Sequence, residues 1–147
     1  MKFPIRIKLV STPSNISKEI LNMLRELDKT CLSDNNFDFS SNYCWIAYHK
    51  NSPVAYACLK PLHGFNEGMG FLSRCGVLKN WRTHNLQLRL IRVRINKARK
   101  LGLGKLITYT NTWNYPSMMN LLKAKFRFYN PSTNWAGISA HYFYLNL

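Results

Sequence analysis

The chain has 147 residues, 46% of them hydrophobic and 14% aromatic, which suits one folded domain spanning 1–147 and excludes a disordered chain. Twenty-one Lys and Arg face six Asp and Glu, a formal net charge of +15. Five of the acids (Glu19, Glu26, Asp28, Asp34, Asp38) precede residue 39, so the remainder carries fifteen basic residues against Glu67 alone.

A field of that sign favours a polyanionic partner: a phosphorylated cofactor, a nucleic acid or an anionic surface. Cys31, Cys44, Cys58 and Cys75 form no C-x-x-C and have no His at metal spacing, so no metal is expected and the thiols read as reduced. No apolar run approaches the ~18 residues of a membrane span, and the N-terminus lacks the apolar region of a signal peptide. A cytoplasmic protein with no membrane partner is the expectation.

Phe3–Val10 alternates apolar and basic residues, the period of a strand. Ser11–Ser17 is turn material, and Ser14 or Asn15 is placed to cap a helix with the stripe Ile16, Ile20, Met23, Leu24 and Leu27. Asp34–Asn42 reads as an ordered loop or a short helical turn. Tyr43–His49 and Val54–Leu62 are aromatic and β-branched runs around a Lys50–Pro53 turn, the pattern of a hairpin. A second turn, His63–Gly70, leads to a third strand, Gly70–Leu78, and the three suggest an antiparallel meander.

Leu86–Leu101 follows as a basic helix. Leu88, Leu90, Ile91, Ile95, Ala98 and Leu101 share one arc, with Arg89, Arg92, Arg99 and Lys100 opposite. Arg94 breaks the apolar arc and must snorkel or find a partner. Gly102 is placed to end the helix, and Lys105–Thr110 reads as a buried strand, so a parallel crossover is expected. A further helix, Ser117–Lys125, has Pro116 at its start. Phe126–Tyr129 and Ala140–Leu145 close the chain as strands around the Asn130–Ser139 loop. The order β-α-β-β-β-α-β-α-β-β describes an α+β domain with a mixed sheet of six to seven strands flanked by helices.

The junction of the third strand and the basic helix is the functional candidate, because a helix N-terminus offers unpaired N–H groups and a favourable dipole to phosphate. The backbone amides of Arg82, Thr83, His84, Asn85, Leu86 and Gln87 could hold a pyrophosphate there, with Lys79 and Arg82 adding charge. This Arg82–Gln87 segment, after a strand ending in Val77, resembles the acyl-CoA-binding motif of GNAT-superfamily N-acetyltransferases, Arg/Gln-x-x-Gly-x-Gly/Ala. Asn114-x-x-Ser117 and Leu121-x-Lys123-x-x-Phe126 resemble a downstream segment of that family, and the element order matches too. Thr83 and Asn85 stand where the family prefers glycine, Lys125 replaces the glycine before Phe126, and Leu121 occupies the position of a general-acid tyrosine.

The resemblance implies acetyl-CoA as acyl donor, with Cys75 and Val77 pairing the pantetheine arm as a neighbouring strand would. It implies that Asn114 contacts the same arm and that Arg89 or Lys123 reaches the nucleotide phosphates, with Ser117 in the same segment. Acetyl transfer to an amine then needs a base, a polarised thioester carbonyl and a proton for the departing thiolate. The Val77 N–H is placed as an oxyanion donor. Glu67, the sole carboxylate after residue 38, is the expected base, and Tyr115 the expected acid, with Tyr109, Cys75 and Ser73 as alternatives. His84 reads as a phosphate or solvent contact, and Trp81 and Trp113 could line an acceptor pocket. The scarcity of acids favours an acidic or nucleotide-bearing amine acceptor over a polycation. The alternative is a nucleic-acid-binding or nucleic-acid-modifying protein on the same fold, using the basic, Trp- and Tyr-rich surface.

Overall fold

The computed structural model describes residues 4–32 and 36–147. Seven strands form one sheet in the order β1-β2-β3-β4-β5-β7-β6. They are β1 (Ile5–Ser11), β2 (Tyr43–His49), β3 (Ser52–Pro61), β4 (Met69–Val77), β5 (Lys105–Asn111), β6 (Arg127–Tyr129) and β7 (Ala140–Asn146). β2 to β4 form the expected antiparallel meander, β1 extends it antiparallel to β2, and β4 and β5 are the parallel pair.

Three helices cover the sheet: α1 (Lys18–Cys31) on one face, and α2 (Leu86–Lys100) and α3 (Tyr115–Lys123) on the other. The alternation of each strand divides its side chains between two cores. Cys44, Ile46, Tyr56 and Cys58 pack with Leu24 and Leu27 of α1. Trp45, Ala47, Ala55, Ala57 and Leu59 pack with Leu86, Leu90, Ile91 and Ile95 of α2 and with Leu121 and Phe126 beyond. Gly76 lets α1 approach the sheet, since a Cβ there would lie 2.5 Å from the Tyr56 ring and 2.8 Å from the Cys31 Cβ.

The helix ends are more specific than the patterning indicated. Ser17, rather than Ser14 or Asn15, caps α1, its hydroxyl accepting from the Ile20 N–H at 3.1 Å. Ser14 instead takes φ +62° in the preceding turn, where its N–H donates to the Ser40 carbonyl. α2 ends in a Schellman motif: Gly102 N–H bonds the Arg99 carbonyl, Leu103 N–H the Ala98 carbonyl, and Gly102 adopts φ +76°. α3 begins at Tyr115, two residues earlier than expected, and ends in the same motif with Lys125 at φ +75°. Phe126 is therefore the hydrophobic residue that closes this cap over Leu121, and β6 starts after it. Asp34–Asn42 falls partly outside the described residues, as does Phe3; within the segment, Phe39–Ser41 forms a 3₁₀ turn capped by Asp38.

Candidate functional site

β4 and β5 pair only from Met69↔Lys105 to Phe71↔Ile107. Beyond that point the strands part, and the Thr108 hydroxyl donates to the Leu72 carbonyl at 2.9 Å where pairing ends. One residue further, the β3–β4 register shifts between Cys58↔Arg74 and Leu59↔Leu72, leaving Ser73 as the extra residue of a bulge. The gap widens toward the C-terminal ends of both strands into a cleft of about 390 Å³. Leu72, Ser73, Arg74 and Cys75 form one wall, Thr108, Tyr109, Thr110 and Asn111 the other. Gln87, Ile91 and Arg94 of α2 line it as well, with Asn114, Ser117 and Leu121 from the α3 side.

The N-terminus of α2 opens at the top of this cleft. Asn85 is its N-cap residue, with φ +59° and ψ +25°, and its side chain makes no cap hydrogen bond. The other two helices are capped by side chains, Ser17 to Ile20 and Asn114 to Ser117. The left-handed conformation explains a glycine preference at this position, and Asn is the residue that best substitutes for it. Thr83 is not among the residues with positive φ, so its place demands no glycine on conformational grounds.

The expected cofactor residues divide. Cys75, Gln87, Asn114 and Ser117 line the cleft together. Gln87 donates from Nε2 to the Ser117 hydroxyl at 2.7 Å and accepts at Oε1 from Asn120 at 2.7 Å, which locks α2 to α3. Arg82, Thr83, His84 and Asn85 are exposed around the α2 N-terminus, whereas Leu86 is buried in the core. Arg82 Nε donates to the Val77 carbonyl at 3.1 Å, so this side chain turns back onto the end of β4. Lys123 is exposed at the far end of α3 and does not line the cleft. Arg89 reaches β1, where it donates to the Ile5 carbonyl at 2.9 Å.

Both expected catalysts lie elsewhere. Glu67 sits in the turn before β4, at the end where β4 and β5 are still paired, and the strand from Met69 to Cys75, roughly 20 Å at ~3.3 Å per residue, separates it from Cys75. It is exposed, 3.5 Å from the His63 ring. Tyr115 opens α3 with its side chain 67% exposed and away from the cleft. Trp113 also faces solvent, and Trp81 packs between the rings of His49 and His84 at 4.6 and 4.8 Å instead of lining the cleft.

Other residues take the interior. Asp28 of α1 is buried, accepts from Arg74 Nε and Nη2 at 2.9 and 3.2 Å, and receives the Tyr56 hydroxyl. Burial, then the bond to Asp28 and its charge, push the Tyr56 hydroxyl well above the ordinary tyrosine range. Asp28 lies on the same helical face as Leu24 and Leu27, and an acid within an apolar stripe was the sequence signal for it. On the cleft side away from α2, Tyr109 stacks on Phe71 at 6.3 Å, and Trp135 meets both edge-on at 5.5 Å. These rings tie the Asn130–Ser139 loop to β4 and β5 through Trp135. Among the described residues no three His, Cys, Asp or Glu side chains gather as a metal site, and no helix is long and apolar enough to cross a membrane.

A mixed sheet whose two parallel strands separate beside an open helix N-terminus defines an acyl-CoA-dependent acetyltransferase class of fold. The chain belongs to the acetyltransferase (GNAT) family, whose model matches residues 14–126. Among solved structures, ribosomal-protein-S18-alanine N-acetyltransferase from Escherichia coli superposes with a TM-score of 0.76 at 12% identity, covering 97% of this chain and 94% of that one. An acetyltransferase from Bacillus subtilis in complex with CoA gives 0.74 at 16% identity, covering 98% and 99%. A Salmonella typhimurium protein solved with its cofactor acetyl-CoA gives 0.73 at 11%, covering 97% and 93%. At these identities the likeness is one of fold. Among curated proteins none is significantly similar in sequence.

Proposed function

We propose that the protein is an acyl-CoA-dependent N-acyltransferase that moves an acetyl group from acetyl-CoA directly to an amine in the cleft beside Cys75–Val77. The observation that carries this reading is the alignment of the uncapped α2 N-terminus, with Asn85 left-handed, on the gap between β4 and β5. The first-turn amides of α2 have no intrahelical acceptor, so they and the helix dipole would hold the pyrophosphate. Arg82, His84 and Lys79 add positive charge or donors at that rim. From there the pantetheine arm would run inward between the free edge of β4 and the α3 residues Asn114 and Ser117, its amides taking the backbone groups that β5 leaves unpaired.

Bound acetyl-CoA would supply the activated carbonyl, and the chain's own residues would orient and polarise it. Backbone N–H groups of β4 on the free edge between Ser73 and Val77 are the oxyanion donors. Glu67 lies at the paired end of β4 and Tyr115 does not line the cleft, and among the described residues the titratable side chains that do line it are Arg74, Cys75, Arg94 and Tyr109. Tyr109 stands on the wall where an acceptor would enter, and is the proton-handling candidate there. A net charge of +15 and a cleft lined, among the described residues, by no carboxylate suit an amine acceptor that carries acidic or nucleotide groups. The family and the similar folds speak for acetyl transfer, and no structural feature favours nucleic-acid binding instead.

Calorimetric titration of acetyl-CoA at low salt tests the reading. Saturable binding at one site per chain is expected, lost in Asn85→Pro, because proline cannot take φ +59°. A flat titration of the wild-type protein overturns it.

A further inference from the structure

Arg94 is the unusual residue of the cleft. It sits in the middle of α2 and is 3% exposed, yet among the described residues no carboxylate pairs with it. Its Nε donates to the Leu90 carbonyl at 3.1 Å and its Nη1 to the Cys58 carbonyl at 3.1 Å, which hold the guanidinium in place against β3, and the residue lines the cleft with further N–H groups to offer. Taking a full positive charge out of water without a counter-ion is costly. The fold retains this charge beside an open cavity rather than replacing it with another apolar side chain.

A second feature belongs to the same cleft wall. Thr110 is 7% exposed, lines the cleft from β5, and its hydroxyl has no hydrogen-bond partner. Unsatisfied buried hydroxyls are rare because each forfeits its hydrogen bond with water. The two groups stand on opposite walls, Arg94 against β3 and β4 and Thr110 on β5, just past the Leu72–Thr108 contact where the strands part. The intervening wall is apolar, formed by Ile91 and Leu121.

Their position along α2 says what meets them. Gln87, Ile91 and Arg94 follow at i, i+4 and i+7, one stripe running from the helix N-terminus into the cleft. Arg94 lies nine residues past Asn85, about 13 Å along the axis at ~1.5 Å per residue. A donor whose pyrophosphate occupies the N-terminus and whose arm follows this stripe brings its sulfur end to Arg94.

Resting on the acyl-CoA reading above, we infer that Arg94, with Thr110, is a catalytic anion site that receives the departing CoA thiolate. As the acceptor nitrogen forms its bond to the thioester carbonyl carbon, the C–S bond breaks and its electron pair leaves on sulfur. The nitrogen's proton passes through Tyr109 as a relay to water, and the sulfur remains a thiolate beside the guanidinium, with the Thr110 hydroxyl turning to donate to it. Leaving-group stabilisation then comes from a fixed buried cation in a low-dielectric wall, where charge is most effective. Among the described residues, the other charged or titratable groups facing this region are Cys75 and Arg74 from β4, Cys58 from β3 and Tyr109 from β5. Arg74 is already paired with Asp28, and burial pushes the Cys58 and Cys75 thiols up, away from carrying negative charge of their own.

The test needs no acceptor. The affinities of CoA and of acetyl-CoA are measured by calorimetry on the full chain at pH 7 and pH 9, for wild type, Arg94→Lys, Arg94→Met and Thr110→Val. Acetyl-CoA has no thiol to ionise and controls for general pH effects. In wild type, CoA affinity relative to acetyl-CoA should rise on the order of tenfold between the two pH values, because the bound thiol ionises more readily than the free one. Arg94→Lys should keep most of that rise, Thr110→Val part of it, and Arg94→Met none, while acetyl-CoA affinity changes little. A wild-type ratio that stays constant with pH, or a rise that survives Arg94→Met, overturns the inference while leaving the acyl-CoA reading intact. If Arg94→Met fails to fold, the wild-type ratio and Thr110→Val decide alone. Failure of both ligands to bind wild type overturns both.

Discussion

Asp28 of α1 and Arg74 of β4 meet in a two-point ion pair, Nε to Oδ1 at 2.9 Å and Nη2 to Oδ2 at 3.2 Å, at the edge of the cleft. The Arg74 guanidinium also lies 5.1 Å from the Phe37 ring centroid, so one side chain ties the first helix and the segment after it to the strand that walls the site. Asp28 is buried and Arg74 partly so, and the worth of the pair lies in the cost of breaking it: removing one partner strands the other charge. Asp28→Ala should lower stability by about 3–5 kcal/mol in urea unfolding. Asp28→Asn, which keeps the shape and loses the charge, should lose less. Equal and small effects from both would show that the pair is not buried in solution.

The same carboxylate gives the fold an alkaline limit. Tyr56 donates its hydroxyl to Asp28, and its folded pKa is raised by burial and by that contact. A raised folded value means that the contribution is complete below the ordinary tyrosine pKa of 10.0 and is lost as pH rises above it, because the unfolded chain then releases a proton that the folded chain retains. Tyr56→Phe should be less stable than wild type at pH 8. Melting curves between pH 8 and 11 should show the two converging, and a gap that stays constant to pH 11 would contradict this.

Asn85 separates conformation from side-chain chemistry at the α2 N-terminus. Because its side chain bonds no helix amide, Asn85→Gly should retain acetyl-CoA binding and stability. Asn85→Ala should cost about 1 kcal/mol in stability for the left-handed backbone and weaken binding several-fold. Binding lost in Asn85→Gly would instead assign the amide side chain a direct contact with the donor.

Lys125 occupies a left-handed position without glycine's freedom, at φ +75° in the cap of α3. Lys125→Gly removes that strain but loosens the unfolded chain. The first effect, about 1–2 kcal/mol, should exceed the second, about 0.4–1 kcal/mol, so a rise in the denaturation midpoint is expected. A fall would mean that the lysine side chain stabilises the cap in some other way.

Much of this architecture is local and therefore legible in the residues. Period-two runs marked the strands and the Leu90–Ile91–Ile95 arc marked α2. Gly102 marked that helix's end, because each of these reports a preference carried by a few neighbouring residues. The resemblance at Arg82–Gln87 and Asn114–Phe126 pointed to the family to which the chain belongs. Even the substitution of Asn for glycine at 85 was intelligible, since the left-handed tolerance of Asn is intrinsic to the residue.

What the tertiary structure decided is distance. Glu67 and Cys75 share one strand-bearing segment, but only the three-pair contact between β4 and β5 reveals which end closes and which end opens, and Glu67 lies at the closed one. Asp28 and Arg74 are 46 residues apart, and Arg94 and Thr110 belong to different elements on different walls, so no spacing rule could join them. The sequence determined that Arg94 would break an apolar face. Packing decided that it would not snorkel and, among the described residues, would pair with no acid, but would remain a buried positive charge lining the cleft, because two backbone carbonyls hold it there.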